Sequence, residues 1–329
     1  MKESEIRPEA LFARYLELVR QGGAELLQSS GEFVSVPCPG CGAEDSETVL
    51  KKEGFQHELC GSCGSLFVSP RPSRALLDRY YGESEAVRFW RTHFFKETAE
   101  ARRERMFRPR AEEVVALART EALGPGATLA DVGAGYGIFL EEITRQGFFS
   151  TVIGVEPAPA LAEECREKGF QVMQMKAEAA PPGTVRADIV TAYEVLEHVF
   201  DPCEFLQGVG RLLRPGGLLL FTTLTVSGFD IQVLWEHSKS VSPPQHLNLL
   251  SLEGIRRLVQ RSGLVLARLD TPGRLDVDIV RNAARANPQV VLPRFVQRVL
   301  ERGPAAESEF QEFLRRHDLS SHVRALVKA

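Results

Sequence analysis

The chain has 329 residues, 43% of them hydrophobic and 26% charged, so it is long enough to bury its cores without disulfide bonds. Its 40 Lys and Arg against 44 Asp and Glu give a formal net charge of -4, which argues against a globally basic nucleic-acid-binding protein. No apolar run approaches the roughly 20 residues of a membrane-spanning helix. Residues 1–20 also lack the apolar segment of a secretory signal, so we expect a cytoplasmic protein with reduced cysteines.

The composition changes along the chain and predicts five segments. The first is a helix that we expect to end near Gly22-Gly23, and the second contains two short strands, Phe33–Val36 and Leu66–Val68. The five segments are an N-terminal helix (1–30), a cysteine-containing module (31–72), a helical connector (73–122), a region of alternating strands and helices (123–269), and a helical insert with a last strand (270–329).

Four cysteines form two C-x-x-C pairs, Cys38-Pro-Gly-Cys41 and Cys60-Gly-Ser-Cys63, with 18 residues between them. This spacing is typical of zinc sites, because each tight turn presents two thiolates to one ion. Four thiolates leave no open position, so the sequence predicts a structural zinc ribbon whose metal stabilises a segment with little core of its own. His57, three residues before Cys60, could be a fifth nearby donor, but we predict a surface histidine. Cys165 and Cys203 are predicted to be buried or bystander thiols.

Short apolar stretches alternate with amphipathic helices from residue 128 onwards. This alternation predicts βαβ units and a mostly parallel sheet with helices on both faces. The predicted strands are Thr128–Val132, Thr151–Val155, Gln171–Met175, Ile189–Ala192, Leu218–Thr223, Leu264–Leu269 and Val323–Val327.

A glycine-rich turn, Asp131-Val-Gly133-Ala-Gly135-Tyr-Gly137, follows the first of these strands and opens a helix. Glycines at such a turn let the backbone approach a ligand closely, and the pattern differs from the G-x-G-x-x-G of dinucleotide-binding proteins. Glu156 ends the second strand, where a carboxylate can accept hydrogen bonds from both hydroxyls of a ribose. Together the turn and Glu156 indicate an adenosine-containing ligand.

Residues 125–268 resemble the class I S-adenosylmethionine-dependent methyltransferases in four segments taken in order: the glycine turn, Glu156, Asp188–His198 around the fourth strand, and Leu212–Gly217 before the fifth. The resemblance implies a Rossmann-like seven-stranded sheet and S-adenosylmethionine as cofactor. One position departs from the family, because Lys176 stands where an acid often contacts the adenine amine; Glu178 or backbone near Ala177 would replace it. The cofactor-binding residues implied are Asp131, Gly133, Gly135, Gly137, Glu156, Ala177, Tyr193 and Glu194.

Candidate catalytic residues lie at the carboxyl ends of the fourth and fifth strands, where open α/β sheets form their crevice. Tyr193 and His198 follow the fourth strand, and His246 lies in a proline-containing loop after the fifth. For the segment Glu194-x-x-Glu197-His198 three interpretations stay open: a divalent-metal site as in some quinone O-methyltransferases, a structural cap and packing histidine, or a catalytic base at His198. His246 is either a base or acceptor contact, or a residue that holds its loop to the next helix.

The combination of ribbon, aromatic connector and class I domain resembles bacterial methyltransferases that act on sugars, surface polysaccharides or secondary metabolites. It implies a small-molecule, saccharide-like acceptor such as a nucleotide-sugar or polysaccharide precursor, methylated at O or C. The alternatives are an RNA methyltransferase that docks its substrate through the ribbon, and a non-catalytic scaffold. The arginines of residues 102–110 would bind phosphate, or would form a solvated face paired with Glu100, Glu104, Glu112 and Glu113.

Overall fold

The N-terminal region forms helices α1 (Glu3–Ile6) and α2 (Glu9–Leu27) in a computed structural model that describes residues 2–329. Met1, part of the predicted first segment, lies outside the described residues. The prediction that the helix ends near Gly22-Gly23 is wrong, since α2 continues for another turn. A Cβ atom on Gly22 would lie 2.9 Å from Tyr80 Cε2, so the glycine permits close packing that offsets its cost inside a helix.

The cysteine-containing module has more strands than the sequence predicts. A hairpin of two strands, turning at Glu53-Gly54 with positive φ at both residues, lies between the cysteine pairs, where mixed polar and apolar residues obscure the pattern. His57 lies in this hairpin and is 2% exposed, so the prediction of a surface histidine is wrong. The strands are β1 (Phe33–Val34), β2 (Ser46–Lys52), β3 (Phe55–Cys60), β4 (Leu66–Val68) and β5 (Arg71–Pro72).

The connector is a short helix followed by a continuous helical rod. Ser73 and Ser84 cap helix starts by accepting hydrogen bonds from backbone amides two or three residues ahead. Two π-helical turns, Trp90–Phe94 and Arg103–Phe107, interrupt the rod. The helices are α3 (Arg74–Glu83), α4 (Glu85–Phe89), α5 (Phe95–Arg102) and α6 (Arg108–Thr120).

The main sheet has seven strands in the order β12-β13-β10-β9-β6-β7-β8. The five strands from β10 to β8 are parallel, whereas β13 runs antiparallel to both its neighbours. The predicted Rossmann-like, mostly parallel sheet with helical additions is therefore confirmed. With the short β11, the strands are β6 (Thr128–Val132), β7 (Thr151–Val155), β8 (Gln171–Met173), β9 (Ala187–Tyr193), β10 (Leu213–Leu224), β11 (Asn248–Leu249), β12 (Val265–Asp270) and β13 (His322–Lys328).

Helices cover both faces of the sheet and enclose two hydrophobic cores. Leu206 and Leu258 belong to the core on one face, and Val114 and Phe139 to the core on the other. Within residues 2–329, no helix combines the length and the apolar character needed to cross a membrane. The helices after β6 are α7 (Ile138–Arg145), α8 (Pro159–Glu167), α9 (Pro202–Leu212), α10 (Phe229–Leu234), α11 (Leu252–Arg261), α12 (Asp276–Ala286), α13 (Arg294–Glu301) and α14 (Pro304–Arg316).

The ribbon is built into the rest of the protein through a shared sheet. Strand β11 pairs with β4 in antiparallel register, Asn248 opposite Phe67, and completes a four-stranded sheet β11-β4-β3-β2. The buried Arg71 strengthens this junction by donating hydrogen bonds to the carbonyls of Val68 (2.9 Å) and Phe200 (2.8 Å) and to Asn248 Oδ1 (3.1 Å). The ribbon therefore contacts the loop that carries His246.

Candidate active site

A cavity of about 950 Å³ opens at the carboxyl ends of β6, β7, β9 and β10. The glycine turn and Glu156 line one part of it, and His198 and His246 line another. Helix α2, the connector rod, and residues of the segments 239–246, 272–279 and 321–324 line the remaining sides. One cavity therefore holds the predicted catalytic residues and every predicted cofactor residue except Gly137, which packs against Cys165.

The three glycines of the turn all have positive φ, 76° at Gly133, 54° at Gly135 and 71° at Gly137. A Cβ atom on Gly133 would lie 2.8 Å from Val195 Cγ2, and one on Gly137 would lie 3.0 Å from Cys165 Sγ. On Gly135 it would meet only a carbonyl oxygen at 3.9 Å. Gly135 thus faces open cavity, and its backbone offers a cradle that an adenosine moiety fits.

Two buried carboxylates flank this turn. Asp131 accepts a hydrogen bond from Thr191 Oγ1 (2.7 Å), and burial raises the pKa of Asp131 to about 7. Glu156 accepts hydrogen bonds from the amides of Gly135 and Ala158, both at 2.9 Å, while burial raises its pKa. Each Glu156 oxygen has a second acceptor site for a ribose hydroxyl, and a cationic group near Asp131 would offset the cost of its burial.

Lys176, which stands where the family often has an acid, pairs with a carboxylate from the connector. The Lys176 ammonium group forms an exposed ion pair with Asp78 of α3, at the edge of the cavity. Ala177 is buried and begins a 3₁₀ turn, and Glu178 also lines the cavity, where burial raises its pKa. Ala177 and Glu178 thus line the cavity, whereas the Lys176 ammonium group pairs with Asp78.

Tyr193 ends β9, and Glu194 follows it with a positive φ of 55°. Glu194 Oε1 accepts hydrogen bonds from Thr222 Oγ1 (2.6 Å) and Arg110 Nη2 (3.1 Å). Burial alone would raise the pKa of Glu194, but His322, whose Nδ1 lies 3.4 Å from Glu194 Oε1, and the Arg110 guanidinium together lower it. The Tyr193 hydroxyl is buried, has no hydrogen-bond partner among the described residues, and has a pKa raised well above 10 by burial.

Donor atoms of Glu197, His198 and His246 lie within 4.8 Å of one another. Glu194, which the predicted E-x-x-E-H metal site includes, lies outside this group because it pairs with Arg110. The candidate metal site in the structure therefore contains His246, from a distant loop, in place of Glu194. A histidine pair with one carboxylate is a donor set that divalent metals accept.

The hydrogen bonds of the two imidazole rings determine where each carries its lone pair. Nδ1 of His198 contacts the carbonyl of Gln245 (3.0 Å), and Nδ1 of His246 contacts the carbonyl of Ser240 (2.7 Å). Because a carbonyl only accepts, both Nδ1 atoms are protonated and Nε2 is the acceptor in each neutral ring. Burial lowers the pKa of both rings, to about 3 for His246, so both are neutral near pH 7.

Glu197 does not cap backbone amides with its side chain, the interpretation that the sequence left open. Its carboxyl accepts a hydrogen bond from Thr223 Oγ1 (2.9 Å), while its backbone carbonyl accepts from the amides of Leu247 (2.8 Å) and Asn248 (3.2 Å). Burial, reinforced by Glu194, raises the pKa of Glu197 to about 8. Glu197 thus joins the end of β9 to the His246 loop.

A group of tyrosines from the N-terminal half supports this loop. Tyr15 of α2 hydrogen-bonds to the side chain of Gln245, which donates in turn to the hydroxyl of Tyr80 (3.2 Å). The hydroxyl of Tyr81 lies 3.3 Å from both the Gln245 carbonyl and His198 Nδ1. The sequence shows Tyr80-Tyr81 in the connector but offers no signal that α2 reaches the site, because that contact spans 230 residues.

Most arginines of residues 102–110 pair with carboxylates, but few of these carboxylates are the predicted partners. Arg103 pairs with Glu100 as expected, whereas the other partners come from distant segments, because the connector packs against α1 and α7. The contacts are Arg103 with Glu141 (2.6 Å) and Glu142 (2.8 Å), Arg105 with Glu5 (3.4 Å), Arg108 with Glu142 (3.2 Å), and Arg110 with Glu194 (3.1 Å). These four arginines are therefore not a free phosphate-binding surface.

The four cysteines of the two pairs come together at one point. The Sγ atoms of Cys38 and Cys63 lie 3.6 Å apart, and those of Cys41 and Cys60 lie 3.5 Å apart. Tetrahedral zinc with bonds of about 2.3 Å would separate its sulfur ligands by about 3.8 Å, so the four thiols fit this metal.

The model of a protein family described as "Methyltransferase domain" matches residues 99–269, just over half of the chain. The chain belongs to this methyltransferase family. The match begins in the connector rod and ends with β12, so it includes the glycine turn, Glu156 and the segment from Tyr193 to His198. The resemblance to class I S-adenosylmethionine-dependent methyltransferases is thereby confirmed.

Curated relatives of this methyltransferase include two ubiquinone biosynthesis O-methyltransferases. The protein of Caulobacter sp. (strain K31) is 39% identical over 124 residues, which are 33% of this chain and 48% of the relative. That of Colwellia psychrerythraea (strain 34H / ATCC BAA-681) is 38% identical over 158 residues, 41% of this chain and 63% of the relative. The match to the first relative thus spans about half of its length.

Solved structures with a similar fold include a geranyl diphosphate C-methyltransferase from Streptomyces coelicolor A3(2). It is 20% identical, with a TM-score of 0.42, over 62% of this chain and 71% of its own. The similarity concerns part of the fold only.

Proposed function

We propose that this methyltransferase transfers a methyl group from S-adenosylmethionine to a small-molecule acceptor. The observation that carries the proposal is the single cavity in which a glycine cradle and two buried carboxylates face a pair of neutral imidazoles. S-adenosylmethionine supplies an activated methyl group on a sulfonium, so the protein must align the acceptor, exclude water and remove its proton. The chain has groups for each of these tasks.

On the cofactor side, we assign Glu156 to the ribose hydroxyls and the turn Gly133–Gly137 to the nucleoside. Ala177 and Glu178 would contact the adenine, and Asp131 would face the amine-bearing part. Glu194 is held by Arg110 and Thr222, so it would shape the cavity wall with Tyr193 rather than exchange protons.

On the acceptor side, His246 or His198 would take the proton of an acceptor hydroxyl at Nε2. Each ring is held in the correct tautomer by a backbone carbonyl at Nδ1, an arrangement that leaves the basic nitrogen free. The acceptor oxygen then forms a bond to the methyl carbon while the bond from carbon to sulfur breaks, and the proton stays on the imidazole. Tyr193 is a weaker candidate, because its buried hydroxyl stays protonated.

We favour a hydroxyl acceptor, because curated relatives are named O-methyltransferases. A saccharide-like molecule remains the acceptor class that the ribbon and connector predict, and aromatic rings such as Trp90 and Phe95 in the cavity suit the apolar face of a sugar or of a planar ring. RNA is disfavoured because the arginines that would hold its phosphates pair with carboxylates of the chain itself.

We further propose that Cys38, Cys41, Cys60 and Cys63 hold a structural zinc ion. The Ser251 hydroxyl donates to the Cys63 carbonyl, and Arg261 donates to the Gly40 carbonyl (2.9 Å), so both knuckles are tied to α11. The metal would thereby stabilise the base of the His246 loop as well as the ribbon itself. Metal analysis of the purified protein, with one zinc ion expected per chain, tests this assignment.

The decisive test of the function is calorimetric titration with S-adenosylmethionine and S-adenosylhomocysteine, followed by methyl-transfer assays. We expect micromolar binding of both ligands and turnover with a hydroxyl-bearing small molecule from pools of saccharides, phenols and RNA. Assays with and without added Mg²⁺ would show whether Glu197, His198 and His246 act through a divalent cation. Absence of cofactor binding would reject the enzyme and leave the scaffold interpretation.

A further inference from the structure

Within the part of the chain that the structure describes, five cationic side chains line the cavity without a carboxylate partner. Three of them, Arg7, Arg102 and Lys239, also lie over aromatic rings of the cavity wall; the other two are Arg91 and Arg274. Among residues 2–329, no Asp or Glu oxygen lies within 4.0 Å of the charged nitrogens of Arg7, Arg102 or Lys239. The guanidinium carbon of Arg7 lies 5.2 Å, and the Lys239 ammonium 5.5 Å, from the centroid of the Phe12 ring. This contrasts with Arg103, Arg105, Arg108 and Arg110, which all have carboxylate partners.

Arg102 is the most strongly buried of the three, with 8% of its surface exposed. Its Nε donates to Thr98 Oγ1 (3.1 Å) and its Nη2 to the Ile6 carbonyl (3.3 Å). Its guanidinium also lies over the ring of Trp90, at 5.1 Å from the centroid. These neutral partners orient the group but do not neutralise it, and burial lowers the pKa of Arg102 to about 9. A buried charge of this kind is stabilised when an anion enters the cavity.

The cofactor carboxylate can match only one of these charges. S-adenosylmethionine carries a sulfonium and an ammonium against one carboxylate, so it adds positive charge to the cavity. One carboxylate also leaves at least two of the three cations unmatched.

The three cations lie near the histidine pair. Lys239 immediately precedes Ser240, whose carbonyl holds His246 Nδ1. Tyr15 links the cations to the histidine pair. Its hydroxyl hydrogen-bonds to Gln245 beside His246, and its ring centroid lies 4.7 Å from that of Trp90, over which the Arg102 guanidinium lies. The uncompensated positive charge therefore borders the part of the cavity where the accepting atom would be deprotonated.

We propose that Arg7, Arg102 and Lys239 bind an oxyanion of the methyl acceptor, a carboxylate or a phosphate carried by a body with an apolar face. The rings of Phe12 and Trp90 beside these cations would pack against that apolar face. The inference rests on the proposed function, because it assumes that the acceptor enters this cavity, and it identifies the acceptor as an anion.

The test is calorimetric titration of protein saturated with S-adenosylhomocysteine, using benzoate, phenyl phosphate and benzyl alcohol as probes of matched ring size. We expect at least one anion to bind, and benzyl alcohol to bind far more weakly. Arg7→Gln, Arg102→Gln and Lys239→Met should each weaken anion binding by about tenfold or more, the effect of losing a charge-assisted hydrogen bond. The exposed Lys96→Met, outside the cavity, is the charge-matched control and should change nothing.

The outcomes separate this inference from the proposed function. Equal binding of benzyl alcohol and the anions, or no binding of either anion, would overturn the inference while leaving cofactor binding intact. An equal loss of S-adenosylhomocysteine affinity in the variants would assign the cations to the cofactor carboxylate instead. Failure of the wild type to bind S-adenosylhomocysteine would contradict the function itself. The anion that binds more tightly shows whether the site prefers a carboxylate or a phosphate. If Arg102→Gln does not fold, Arg7→Gln and Lys239→Met still test the inference.

Discussion

The two ends of the cavity are built in different ways. The proposed cofactor end comes from one continuous stretch, from Asp131 to Glu178, in which each strand delivers its residues to the same edge of the sheet. The proposed acceptor end is assembled from α2, the connector rod, the end of β9 and the loop at residues 239–246. The first end follows from local motifs, whereas the second depends on contacts across most of the chain, so damage to distant parts should affect the two ends unequally.

The largest expected separation of the two ends comes from removing the metal. Cys60→Ser should abolish zinc binding and unfold the ribbon, since zinc supplies on the order of 10 kcal/mol to the folding of small modules of this kind. Because β11 and Ser251 are joined to the ribbon, we expect acceptor turnover to be lost while S-adenosylhomocysteine still binds. Metal content, calorimetry and turnover measure this, with Cys203→Ser as a cysteine control outside the cluster. Normal turnover in zinc-free protein would show that the two ends do not differ in this way.

The second prediction concerns the pH dependence of stability. Burial raises the pKa of Glu197 to about 8, so the folded protein holds a proton that the unfolded chain releases near pH 4.5. The stability from this proton is fully present below pH 4.5 and is lost as pH rises through 8. Glu197→Gln, which mimics the protonated form, should remove this decline. The decline in the free energy of unfolding is expected to be a few kcal/mol, on the order given by the shift in the Glu197 pKa. Urea unfolding at pH 5 and pH 8 measures it, and an unchanged slope in the variant would contradict the assignment.

The third prediction tests the imidazole at the acceptor end. His246→Ala should lower kcat by about a hundredfold or more, because a positioned general base contributes about that much. Cofactor affinity should stay unchanged, because His246 contacts Ser240 and His198 rather than the glycine turn. Steady-state kinetics and calorimetry separate the two effects, with the half-buried, neighbouring His237→Ala as control. An equal loss of turnover and cofactor affinity would instead indicate that His246 is structural.

The smallest expected effect lies at the cofactor end. Glu156→Ala should weaken S-adenosylhomocysteine binding by about 1–3 kcal/mol, the cost of losing hydrogen bonds to the ribose hydroxyls. Stability should change less than for Cys60→Ser, although Glu156 also accepts from the Gly135 and Ala158 amides. Calorimetry measures the affinity, and Glu163→Ala on the exposed face of α8 is the control. Unchanged affinity for the cofactor would remove Glu156 from its binding site.

Much of the fold follows from local patterns, and the exceptions have identifiable causes. All seven strands of the main sheet were predicted. The five parallel strands are short apolar runs between helices, whereas β12 and β13 pair antiparallel with each other and were predicted from the apolar stretches Leu264–Leu269 and Val323–Val327. The β2–β3 hairpin was missed because its half-exposed residues lack such a run, and the end of α2 was misplaced because packing of Gly22 on Tyr80 outweighs helix propensity. His57 was placed at the surface because no sequence pattern marked its side chain as buried.

The sequence by itself determined the mostly parallel sheet, the glycine turn with Glu156, and the two cysteine pairs, because each is built from short local patterns in the chain. Only the tertiary structure decided that His246 takes the place of Glu194 beside Glu197 and His198, since Arg110 draws Glu194 away. It also decided which arginines are paired and which are free, because ion-pair partners are chosen by the packing of distant helices. A local motif specifies its own backbone, whereas a site formed by distant segments exists only after the hydrophobic cores have brought those segments together.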